Sequence, residues 1–200
     1  DYRRAPLVTM ASQVVDAKCA VRFLRANADT LGIDAGRVGV YGHSEGGWLG
    51  SMLGLTGPSA GFDRGQYLGY SSQVKAVVDE AGPADLPRLV AQGPSWMGQI
   101  AFVLLHGQPV ASGIEYSPVR YAHSGVPPFL VVHGTQDQVI PIQQSAELVQ
   151  RLQAVGDPVR FVPVLNGPHG LGAQSETPNP VQLGHMVTDF FVSTLQPGAE

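Results

Sequence analysis

An apolar run, Val38-Gly39-Val40-Tyr41, leads straight into Gly42-His43-Ser44-Glu45-Gly46, a G-x-S-x-G pentapeptide, and a helix-compatible stretch follows from Gly47 to Leu55. Strand, tight turn and helix in that order put the serine at the tip of a turn with a strained backbone. Side chains beside so tight a turn would collide, which gives Gly42 and Gly46 a steric reason to lack them. A serine held this way points its oxygen out above a sheet, beside a helix N-terminus that stabilises developing negative charge. Ser44 is therefore the candidate nucleophile.

The surrounding pattern alternates helix and strand, which predicts an α/β fold with a mainly parallel sheet and flanking helices. Val14, Ala17, Val21 and Leu24 recur at helical spacing in a first helix ending near Ala26. Strands are predicted at Arg37–Tyr41, Val74–Asp79, Phe129–His133 and Val159–Leu165. A helix over Pro141–Val155 has proline in its first turn and Gly156 just past its end. The last helix, Pro180–Leu195, carries Leu183, Met186, Val187, Phe190 and Phe191 on one face. Two stretches break the rhythm, 56–73 and 85–126, with short helical possibilities only near Leu86–Ala91 and Met97–Leu105. Long irregular insertions of this kind are candidates for a lid or substrate rim, with plain solvated loops as the alternative. Tyr67, Tyr70, Trp96 and Tyr116 within them are either loop anchors or surfaces on which a substrate stacks.

Composition narrows the function. The chain has 200 residues, enough for one domain with a real core, so 1–200 is read as a single α/β unit. Its net charge is −4 and its Lys and Arg residues are scattered, so neither nucleic acid nor an anionic membrane is an expected partner. No run of about 18 apolar residues occurs, and no signal-peptide pattern is visible. The single cysteine, Cys19, excludes an internal disulfide and reads as a small buried hydrophobe of the first helix. No His, Cys or Glu cluster has metal-ligand spacing, so no metal is expected.

A serine nucleophile needs a base to take its proton and an acid to orient that base. In sheets of this kind functional residues gather where loops leave the carboxyl ends of the strands. Asp137 lies just beyond the third strand, in His133-Gly134-Thr135-Gln136-Asp137-Gln138-Val139-Ile140-Pro141, and is the preferred acid. Asp79, Glu80 and Asp85, after the second strand, are its rivals; capping or solvation accounts for the aspartates in helices and turns. Of six histidines, His169 follows the last strand in the glycine-rich loop Gly167-Pro168-His169-Gly170 and is the preferred base. His185 falls on a polar helix face. His43 adjoins the nucleophile too closely for base geometry, and His133 reads as a buried, hydrogen-bonded support. His106 and His123 belong to the irregular insertion and are expected to be exposed.

The resulting order, Ser44, Asp137, His169, is that of α/β-hydrolases. The chain resembles that superfamily, most closely its esterase/lipase branch of acetyl- and feruloyl-esterase-like enzymes. The likeness rests on Asp1-Tyr2-Arg3-Arg4-Ala5-Pro6, Gly42-His43-Ser44-Glu45-Gly46-Gly47, the acid loop and Gly167-Pro168-His169-Gly170. The acid loop is also similar to that of dienelactone hydrolases and prolyl-oligopeptidase-type peptidases. Family members carry a His-Gly-Gly-Gly-like loop upstream of the Tyr-Arg segment, which donates N–H groups to the oxyanion; the chain has none. It is therefore expected to be the C-terminal portion of a hydrolase, with its first strands absent and an exposed edge on the strand before Ser44; a divergent complete protein is the alternative.

The resemblance implies a serine esterase acting on small-molecule carboxylic esters without a cofactor. Ser44 attacks, His169 is general base, Asp137 orients it, and the Glu45 backbone N–H holds the oxyanion. Two alternatives stand beside it: a dienelactone-type hydrolase or serine peptidase with the same triad, and a fragment without catalysis.

Overall fold

A computed structural model describes residues 2–4 and 7–196, so Asp1, Ala5 and Pro6 of the opening segment lie outside the described residues. The chain order is α1 (Met10–Ala26), α2 (Ala28–Leu31), β1 (Gly39–His43), α3 (Glu45–Leu55), β2 (Ala76–Glu80), α4 (Leu86–Gln92), α5 (Met97–Leu104), β3 (Phe129–Gly134), α6 (Gln143–Ala154), β4 (Val159–Val164) and α7 (Pro180–Leu195). Short 3₁₀ turns occupy Pro58–Ala60, Val110–Tyr116 and Pro118–Tyr121.

The four strands form one parallel sheet in the order β1-β2-β3-β4. Its two central strands are buried at every residue, as strands covered on both faces must be. Successive side chains point to opposite faces. Val77, Phe129 and Val131 meet Val21 of α1, Leu53 of α3 and Leu148 and Leu152 of α6 on one side. Val78, Leu130, Val132, Val162 and Val164 meet Leu183 and the Phe190–Phe191 stripe of α7 on the other. A further apolar cluster joins Met10, Val14 and Trp48 to Leu86, Leu89 and Met97, so the 85–126 insertion is seated on α1 and α3.

Helix ends follow local chemistry. Thr9 caps α1 by accepting from the Ser12 N–H, and Asn179 and Gln182 close a reciprocal capping box at α7. The first strand starts two residues later than the predicted Arg37, at Gly39. Asp34 holds Arg37 in the preceding turn, with the Gly36 N–H at 2.7 Å and the Arg37 Nε at 2.7 Å from its carboxylate. The strand accordingly runs on to His43, against Glu80 of β2.

The segment 56–73 joins the carboxyl end of α3 to the amino end of β2 and is tied to α1 by charge. Lys18 and Arg22 are 0% and 1% exposed. Lys18 donates to Asp63, the Thr56 carbonyl and Ser72; Arg22 donates to Asp63 and the carbonyls of Arg64 and Gln66. Cys19 is half-buried rather than buried, one position past that charged contact.

Candidate active site

Ser44 lies between β1 and α3 with φ 58° and ψ −119°, a conformation that costs a non-glycine residue of order 1–3 kcal/mol. Its N–H donates to the Glu80 carbonyl at 2.8 Å, fastening the turn to the end of β2. Gly42 is sterically required: a Cβ there would stand 2.0 Å from the Gly46 carbonyl oxygen. Gly46 is not, because a Cβ on it meets nothing within 4 Å; the crowded glycine on the helix side is Gly47, against Asp79. The Glu45 N–H opens α3 and has no intrahelical acceptor. The Glu45 carboxylate is held by the Tyr2 hydroxyl at 3.1 Å and by Gln13 Nε2 at 2.7 Å.

Asp137 follows β3 and His169 follows β4, so all three candidates stand at the carboxyl ends of different strands. The acid and base loops touch through their backbones. Gln136 N–H donates to the Gly167 carbonyl at 2.8 Å, and a Cβ on Gly134 would lie 2.2 Å from that oxygen. His169 Nδ1 is 2.7 Å from Asp137 Oδ2, and His169 Nε2 is 2.9 Å from Ser44 Oγ. A carboxylate only accepts, so Nδ1 carries the proton and Nε2 accepts from the serine hydroxyl.

The Asp137 side chain is fully enclosed. Burial alone would raise its pKa, but donation from His133, from His169 and from the N–H groups of Val139 and Ile140 outweighs it. The carboxyl is held well below the usual range, and the acid is ionised wherever the protein is folded at ordinary pH. His133 is 0% exposed, as the sequence leads one to expect of a support. Its Nε2 donates to the Ile140 carbonyl at 2.9 Å and lies 3.2 Å from Asp137 Oδ2, while Nδ1 accepts from Ser145 at 2.7 Å.

The rival acids have other partners. Asp79 sits beneath the elbow, bonded to Ser51 and to the Gly82 N–H, and burial pushes its carboxyl up. Glu80 accepts from Tyr41, and Asp85 caps α4. His106 and His123 bond to backbone carbonyls at the surface, and His185 is exposed on α7. Tyr67 packs edge-on to Phe23, Tyr116 is half-buried, and Tyr70 and Trp96 are exposed. Two features had no legible signal. Glu176 is buried and gathers the N–H groups of Gly172 and Ala173, closing the base loop. His43 reaches across to that same loop, with Nε2 2.7 Å from the His169 carbonyl. Among the described residues no group of three or more His, Cys, Asp or Glu side chains is arranged to hold a metal ion, and no helix is long and apolar enough to cross a membrane.

The family model of BD-FAE matches residues 1–152. The chain belongs to the BD-FAE family. The match takes in Ser44 and Asp137 and ends before His169. This BD-FAE chain is 32% identical over 162 residues to Esterase LipC of Mycobacterium tuberculosis (strain ATCC 25618 / H37Rv), covering 78% of the chain and 40% of that protein. It is 30% identical over 159 residues to the probable carboxylic ester hydrolase LipM of the same organism, covering 78% and 37%. It therefore spans about two fifths of the length of these relatives. Among solved structures, a truncated form of a carbohydrate esterase from gut microbiota superposes with a TM-score of 0.81 at 27% identity, covering 97% of the chain and 72% of that structure. The BD-FAE chain has the α/β-hydrolase fold.

Proposed function

We propose that the chain hydrolyses carboxylic esters through an acyl-enzyme, with Ser44 as nucleophile, His169 as general base and acid, and Asp137 as the orienting carboxylate. The observation that carries this reading is the unbroken line from Ser44 Oγ to His169 Nε2 at 2.9 Å and from His169 Nδ1 to Asp137 at 2.7 Å. The base takes the serine proton as Oγ attacks the carbonyl, and the ionised acid stabilises the imidazolium that forms. The Glu45 N–H, adjacent to Ser44 at the start of α3, donates to the tetrahedral oxyanion. His169 returns the proton to the departing alcohol, then activates the water that releases the acyl group. The esterase and carboxylic ester hydrolase names of the relatives support carboxylic esters as the substrate class.

We assign the substrate rim to 85–126 rather than to 56–73. The former leaves the carboxyl end of β2, on the side of Ser44, and presents Trp96, Ile100 and Phe102 to solvent. The test is labelling of the folded chain with a fluorophosphonate probe, mapped by mass spectrometry, alongside p-nitrophenyl acetate turnover and a Ser44→Ala control. Labelling confined to Ser44, with turnover lost in the control, is the expected result. A folded chain that neither labels nor turns over ester overturns the proposal.

A further inference from the structure

We propose that His43, the variable residue of the pentapeptide, is the positioning residue that locks the tip of the base loop onto the nucleophile's own turn; this rests on the Ser44–His169 reading above. Pro168 stiffens the loop before His169, but Gly170 and Gly172 leave the backbone after it with little intrinsic stiffness. Among the described residues, 168–171 make through their backbone a single hydrogen bond, the one that joins the His169 carbonyl to His43 Nε2 at 2.7 Å. A carbonyl only accepts, so His43 carries its proton on Nε2. The two imidazoles also lie against each other, with centroids 4.8 Å apart and planes at 47°.

The other end of this clamp is stiff. His43 is the last residue of β1, in register with Glu80, and the next N–H, that of Ser44, is bonded to the Glu80 carbonyl. One strand end therefore carries both the nucleophile and the group that fixes the backbone of its base. A displacement of about 1 Å between reacting groups can cost on the order of 10²-fold in rate, so a loop free to drift loses kcat rather than affinity.

The experiment compares His43→Phe with His43→Gln. Phenylalanine keeps a ring against His169 and removes the donor; glutamine removes the ring and supplies an N–H at similar reach. The expected result is a fall in kcat of about 10- to 100-fold in H43F with KM unchanged, and recovery of most of it in H43Q. Backbone order parameters at Gly170 and Leu171 fall from about 0.85 toward 0.6 in H43F and stay high in H43Q. Equal losses in both variants, full activity in H43F, or a change confined to KM overturns the proposal. If wild-type protein turns over no ester, the esterase reading fails on its own. The order parameters still decide here, and an unmoved loop in H43F sinks the clamp.

Discussion

Four donors converge on the Asp137 carboxylate: His169, His133 and the N–H groups of Val139 and Ile140. Replacing it with asparagine leaves the shape and removes the preference for the correct His169 tautomer, so Asp137→Asn is expected to lower kcat on the order of 10⁴-fold. Its depressed pKa also sets a pH window. A lowered acid contributes stability above its unfolded value and loses it as pH falls through the folded one. The difference in melting temperature between wild type and D137N should hold constant above about pH 5 and narrow below about 3.9. Thermal unfolding across that range checks it. The placement of Asp137, His169 and Ser44 at neighbouring strand ends was legible because each follows a strand-like apolar run. The Gly42–Gly46 symmetry misled, because sequence spacing says nothing of which glycine faces a backbone: Gly42 meets the Gly46 carbonyl, and Gly46 itself meets open space.

At the scale of elements, the apolar periodicities of α1 and α7 and the runs of β2 and β3 sufficed, because each is buried by a continuous stripe. What escaped was the packing of charge. Lys18 and Arg22 lie beside the apolar face of α1, and side chains of their type are almost never fully buried unless paired. They are buried because Asp63, more than forty positions away, receives both at 3.1 and 2.9 Å. Removing that shared carboxylate leaves two enclosed cations without a counter-charge. Asp63→Ala is expected to cost about 3–5 kcal/mol, read as a lower denaturant midpoint, and to loosen 56–73 before the sheet. Lys18 and Arg22 keep carbonyl partners in that variant, which places the expectation at the lower end.

For the whole molecule, the two ends of the sheet differ. β4 carries Arg160 and Pro163, both of which discourage further pairing, whereas β1 has no charge and exposes Tyr41 at 53%. Self-association through β1 is expected to rise with concentration, and Tyr41→Lys to suppress it; light scattering over a dilution series decides. The sequence allowed that edge to be anticipated only through the order of strands that the family resemblance implied, not from any run of residues. The ends of β1, β3 and β4 also bring together residues that leave the ribosome far apart in time. His169 follows Ser44 by 125 positions, which at about 5–20 residues per second is roughly 6–25 s of synthesis. On the proposed mechanism, the nascent serine lacks its base throughout that interval. The same mechanism makes reactivity a late event of biosynthesis, acquired only when β4 has docked and delivered its loop.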